Sequence, residues 1–225
     1  MFYFKTISIA LVSSMMCLTI NAQETNEAKA ALPEAAQTVQ LAGQLAKYGY
    51  AHNQALPLIQ AAQLLKTVNI KPSNEKPEHE GGSEGSQKKD AASFDVNTLL
   101  TDAQALAESK GDKPCLDLIK QTKAQSRTVN NSTGYIRRED IIGPRKTDVW
   151  TVSFVGGTAA GVIVIGDGDT DLDLYVYDKY GNLLAKDIDT TDNCAVSFHP
   201  SYTGEYKIKI KNLGNISNVY KLYCF

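Results

Sequence analysis

Neither charge nor histidine is abundant enough in this chain to suggest an obvious chemistry. Lysine and arginine number 23 against 25 aspartates and glutamates. No basic excess follows the chain, so nucleic-acid binding is set aside. The three histidines stand apart: His52 in a helix turn, His79 in a polar linker and His199 before Pro200. There is no His-Glu-x-x-His, no Gly-x-Ser-x-Gly and no phosphate-cradling glycine loop. Nothing in the spacing of Cys115 and His52 pairs them as nucleophile and base.

Long apolar runs are also missing, with one exception at the start. Lys5 precedes a largely apolar stretch from Ile7 to Ile20, and Ile20-Asn21-Ala22 offers a small residue before Gln23. This pattern predicts a secretory signal peptide over residues 1–22. The run is short for a membrane span and ends in polar residues. Cys17 lacks the usual lipoprotein surroundings. The expected product is a secreted or periplasmic chain without a transmembrane segment. Lys5 is the only charged residue removed, so the formal charge moves from −2 to −3.

Three cysteines then remain: Cys115, Cys194 and Cys224. Their spacing fits no zinc pattern, and export favours disulfides. Cys194 and Cys224 share the inward parity of their strands and are the expected pair. The alternative is two buried thiols acting as small hydrophobes. Cys115 is left over, buried in a helix or free.

Two halves of different character follow the leader, and the fold class expected is α+β. A helical N-terminal bundle precedes an antiparallel, jelly-roll-like β-sandwich. Residues 23–70 read as a helical hairpin. Val39, Leu41, Leu45 and Tyr48 fall near one helical face, and Leu58, Ile59, Ala62 and Leu65 on another, with Tyr48 to His52 as the turn. Residues 71–93, rich in proline, glycine and charge, read as a disordered polar linker. Residues 94–128 read as a second helical pair, capped by Asp95 and broken at Gly111. Residues 129–146 read as another linker. From 147 to 225 the period becomes two: Trp150, Val152 and Phe154; Leu172, Leu174 and Val176; Cys194, Val196 and Phe198; Tyr206, Ile208 and Ile210; Tyr220, Leu222 and Cys224. Thr158 to Ile165, apolar on both faces, suits a central strand.

The order of motifs in this last part is familiar. Asp148-x-Trp150-x-Val152-x-Phe154 is followed by Asp171-Leu-Asp-Leu-Tyr-Val-Tyr-Asp178 and Gly181-Asn182. Thr203-Gly204-Glu205-Tyr206-x-Ile208-x-Ile210 and Tyr220-x-Leu222 complete it. Residues 147–225 thus resemble the bacterial pre-peptidase C-terminal domain family. The resemblance implies a jelly-roll-like module that is accessory rather than catalytic, some relatives of which bind collagen or calcium. No peptidase domain precedes it here, which departs from the family's usual setting.

Two constellations remain candidates for chemistry. Asp167, Asp169, Asp171 and Asp173 place carboxylates at every second residue, and hard oxygen ligands in a turn suit calcium. No downstream bidentate glutamate completes the set, and the other reading is a solvated turn entering a strand. No cofactor is required; calcium is the one candidate. Tyr175 and Tyr177 point outward if Leu172, Leu174 and Val176 point inward, and Tyr180 follows in the next turn. Exposed aromatics beside carboxylates stack on sugar rings or grip a polypeptide; tyrosine is also simply a good strand residue. Lys207, Lys209 and Lys211 on one strand face read as protection against edge aggregation.

The functional expectation is an exported, non-catalytic accessory protein. Its sandwich binds an extracellular or envelope polymer, polysaccharide or protein, or stabilises an assembly. The alternatives are a small secreted hydrolase or inhibitor with its site between helices and sandwich, and a purely structural calcium-stabilised module.

Overall fold

The computed structural model describes residues 31–82, 94–125 and 134–225. The expected leader lies outside these residues. Two antiparallel helical hairpins come first: α1 (Glu34–Ala51) with α2 (Ala55–Thr67), then α3 (Val96–Lys110) with α4 (Lys113–Ala124). Between the hairpins lie the short strands β1 (Ile70–Pro72) and β2 (Glu78–Gly81). Eight further strands follow: β3 (Tyr135–Ile142), β4 (Lys146–Phe154), β5 (Ala160–Ile165), β6 (Leu172–Tyr177), β7 (Leu183–Asp187), β8 (Asn193–Phe198), β9 (Gly204–Asn212) and β10 (Asn218–Cys224). The architecture is α+β, as the change of period from helical to alternating implied.

Local chemistry sets the helix ends. The Asp95 carboxylate accepts hydrogen bonds from the backbone N–H groups of Asn97 at 2.8 Å and Thr98 at 3.0 Å, satisfying donors that the first turn leaves open. Gly111, at φ 65°, closes α3 in the left-handed conformation that glycine adopts without steric cost. Asp112 then accepts from the Cys115 N–H at 3.1 Å and starts α4.

The strands form two five-stranded sheets, ordered β1-β3-β10-β5-β8 and β2-β4-β9-β6-β7. Alternation works as the sequence implied. Trp150, Leu172, Leu174, Val176, Val196, Tyr206, Ile208, Ile210, Tyr220 and Leu222 meet between the sheets, almost wholly shielded from water. A second core lies on the other side of the first sheet. There Ile163, Ile165 and Tyr223 project outward and pack against Val39, Ala42, Leu58, Leu99 and Ile119 of the helices. The molecule is therefore layered helix on sheet on sheet. β5 is buried at all six positions because it has a core on each face. The outer face of the second sheet has no helical cover among the described residues.

Two stretches read as linkers carry strands. β1 pairs in parallel with β3, and β2 pairs antiparallel with β4, so residues 70–81 cross from the edge of one sheet to the edge of the other. β3, in the second such stretch, pairs with β10 over seven positions from Ile136 to Ile142. The physical reason is common to both. These strands hold ion-paired side chains instead of an apolar alternation, so their pattern resembles that of a loop. Residues 83–93 and 126–133 lie outside the described residues.

The expected Cys194–Cys224 disulfide is corrected by the strand order. Both side chains do face the core between the sheets. However, β5 lies between β8 and β10, with Val164 opposite Cys194 and Val162 opposite Cys224. Two strand spacings separate the cysteines by roughly 10 Å, beyond the ~7 Å that a disulfide spans between Cα atoms. Cys115, Cys194 and Cys224 are all buried free thiols.

Candidate functional site

β6 positions the outward tyrosines. With Leu172, Leu174 and Val176 fully buried, Tyr175 and Tyr177 stand half-buried on the uncovered face of the second sheet. Their rings stack with centroids 6.4 Å apart and an interplanar angle of 23°. The Tyr175 hydroxyl donates to Asp173 at 2.9 Å. Burial, followed by that hydrogen bond to Asp173, pushes the Tyr175 phenol up to about 12. On the neighbouring β9, Lys211, Lys209 and Lys207 stand opposite Asp173, Tyr175 and Tyr177 respectively. Lys209 is tied to Glu80 of β2 at 2.9 Å, whereas Lys207 and Lys211 are exposed. The lysines lie inside the sheet order and not at its edge, so the edge-protection reading does not fit their place.

Tyr180 sits in the β6–β7 turn and is 75% exposed. Asp178 holds that turn by accepting from the N–H groups of Tyr180 and Asn182, each at 2.8 Å. Burial works against the Asp178 charge, but the hydrogen bonds from Asn182, Tyr180 and Gly181 outweigh it and hold the carboxyl below its usual range. The Lys179 ammonium lies 5.0 Å from the Tyr180 ring centre and 4.7 Å from that of Tyr202, so the turn is an aromatic platform with a cation between its rings.

Of the four aspartates, Asp167 and Asp173 accept hydrogen bonds within the fold, while a buried oxygen of Asp171 has no hydrogen-bond partner. Asp167 accepts from the backbone N–H of Val219 at 3.1 Å and from that of Asp169 at 3.2 Å. Asp173 is engaged by Tyr175. Asp171 is pushed up by burial first, and then by the charges of Asp173, Asp189 and Asp192. Among the described residues, no group of three histidine, cysteine, aspartate or glutamate side chains converges as a metal site.

A polar chain missed by the sequence reading runs through the sandwich edge. Asp148 is fully buried. It lies 2.7 Å from His79 Nδ1 and accepts from the Tyr220 hydroxyl at 2.8 Å. Tyr220 in turn accepts from Trp150 Nε1 at 2.7 Å. Burial pushes the Asp148 carboxyl up, partly offset by the hydrogen bonds from His79 and Tyr220. Nearby, Arg138 donates to Glu75 at 2.7 Å and lies over the Trp150 ring at 5.9 Å. The buried partner of Trp150 and Tyr220 was the available signal: an aspartate in phase with the core residues of β4 needs hydrogen-bond donors.

Clefts of about 930 Å³ and about 400 Å³ open between the helices and the first sheet. Cys115 and His52 line neither. Burial raises the Cys115 thiol to about 11, the opposite of an activated nucleophile, and the His52 ring packs on Tyr48 at 4.3 Å.

No protein-family model and no curated protein matches the chain. Solved structures similar to part of the chain include the mitogen of Yersinia pseudotuberculosis, at 13% identity and TM-score 0.35 over 40% of this chain and 84% of that one. The periplasmic inhibitor of g-type lysozyme from Aeromonas hydrophila matches at 11% identity and TM-score 0.33, over 42% and 88%. The pre-peptidase C-terminal domain of a Bacillus anthracis collagenase matches at 14% and 0.31, over 39% and 87%. At these scores, nothing about ligand or partner passes from them to this chain. No helix of the described residues is long and apolar enough to cross a membrane.

Proposed function

We propose that this is an exported, non-catalytic binding protein whose ligand is an extended polysaccharide held on the open face of the second sheet. The observation that carries this reading is the stacked pair Tyr175 and Tyr177 on a face left bare while helices cover the opposite sheet. Two parallel amphipathic rings offer a flat surface for sugar rings, and their hydroxyls offer hydrogen bonds at the edge. Exposed Lys207 and Lys211 add charge beside the rings, which favours a glycan bearing acidic groups. That part of the affinity weakens with salt, since exposed charges are screened over about 8 Å at physiological ionic strength.

This reading does not call on calcium. The test is binding of the purified protein to immobilised acidic and neutral polysaccharides and to unfolded polypeptide, at low and high salt. Retention on an acidic glycan that falls with salt is the expected result. Retention on polypeptide alone would replace the glycan by a protein ligand, and retention on none would end the proposal.

A further inference from the structure

On the helix-facing side of the first sheet, two shielded cationic side chains share one carboxylate. Lys221 of β10 is 2% exposed and projects towards the helices between Val219 and Tyr223. Its ammonium lies 3.0 Å from Glu139, which stands opposite it on β3. The same Glu139 oxygen is also the partner of Arg137, at 3.8 Å. One carboxylate, itself about half-exposed, therefore serves two cations. Neither Lys221 Nζ nor Arg137 Nε makes a hydrogen bond, although both atoms are shielded from solvent. A buried ammonium whose one ion-pair partner is shared and half-exposed is incompletely compensated, which makes this a place where an added anion gains energy.

Lys221 lines the smaller cleft, of about 400 Å³, in the size range of small-ligand pockets (~300–1,000 Å³). Its apolar surface comes from Gly43 and Ala46 of α1, Ile165 and Val219 of the sheet, and Phe94. The other charged side chains facing the cleft have partners of their own, one of them an ion pair. Lys47 pairs with Asp192 at 3.2 Å, Asp102 accepts from the Tyr50 hydroxyl at 2.7 Å, and Asp167 accepts from Val219 N–H. Across Ile165 from Lys221, in the same row, Asn193 presents an Oδ1 that is buried and without a hydrogen-bond partner.

We infer that this cleft binds a small apolar carboxylate. The carboxylate meets Lys221, the hydrocarbon lies over Ile165 and Val219, and a hydroxyl or amide N–H further along the molecule meets Asn193. This site is separate from the tyrosine face and does not depend on it.

Displacement of bound 1-anilinonaphthalene-8-sulfonate from the folded protein provides the test, with octanoate, octanol and octylamine as competitors. These share a chain length and differ in the head group. Octanoate is expected to compete at least about tenfold better than octanol or octylamine, the gain of one charge-assisted hydrogen bond. Lys221→Met should remove that advantage and leave octanol binding unchanged. The Tyr175→Ala, Tyr177→Ala variant should bind octanoate as the parent does. Equal competition by the three compounds, failure of the dye to bind the folded protein, or undiminished octanoate binding in a folded Lys221→Met variant overturns the inference. If that variant does not fold, the comparison of competitors on the parent protein decides alone.

Discussion

His79 Nδ1 lies 2.7 Å from Asp148 Oδ1, and that contact ties a half-exposed strand residue to a carboxylate wholly inside the sandwich. Residues 70–81 thereby become the edge closure of both sheets. His79→Ala would leave one buried oxygen of Asp148 without its donor, at a cost of about 1–3 kcal/mol. Urea denaturation followed by tryptophan fluorescence measures it, because Trp150 joins the same chain through Tyr220. An unchanged midpoint would show that the strand is held by its backbone pairing alone.

The same carboxylate gives stability a pH dependence of known sign. Burial raises the Asp148 pKa in the folded state above its ordinary value of 3.8. Between that value and the raised one, the folded protein binds more protons than the unfolded chain, so stability falls as pH rises through the window. The contribution is complete below pH 3.8 and lost above the raised pKa. Denaturation midpoints across acidic pH should show this fall in the parent, and a flatter profile in Asp148→Asn. Identical profiles would contradict the assignment.

The thiols make a sharper prediction. Cys115, Cys194 and Cys224 should all react with a thiol reagent in denaturant without prior reduction, and resist it in the folded protein. Burial raises Cys224 to about 12 and shields all three. Reducing agent should leave the melting temperature unchanged. Loss of two reactive thiols before reduction would mean that a disulfide forms by a rearrangement of β5.

Calcium gives a fourth check. With Asp167 and Asp173 engaged by Val219 and Tyr175, the melting temperature should be the same in millimolar calcium and in excess chelator. A rise at a ligand concentration ~100 times the dissociation constant would correspond to about 2.7 kcal/mol and would show that the turn re-forms around the ion.

What could be read from the sequence followed from periodicity. Leu172, Leu174 and Val176 identified the inward face of β6 and so placed Tyr175 and Tyr177 outside. Asp95 and Gly111 marked helix ends by their own chemistry. β2 and β3 were hidden because Glu80, His79 and Arg138 are satisfied by distant partners, Lys209, Asp148 and Glu75, that local pattern cannot supply. Parity correctly faced Cys194 and Cys224 inward but gave no information on strand order, and the intervening β5 is what separates them. Gly43 shows the same limit: a Cβ there would stand 2.8 Å from Ile165 Cδ1, a close approach of α1 to the sheet that a helical sequence does not announce.

The central claim is that the bare sheet face is the binding surface, and one affinity comparison tests it most directly. Binding of the retained glycan is measured by calorimetry for the parent and for the Tyr175→Ala, Tyr177→Ala variant, with melting temperatures alongside. At about 1 kcal/mol for each stacked ring, the variant should bind roughly thirtyfold more weakly. Its fold should persist, because both side chains lie outside the core. Undiminished affinity in a folded double variant would contradict the account and move the binding surface elsewhere on the molecule.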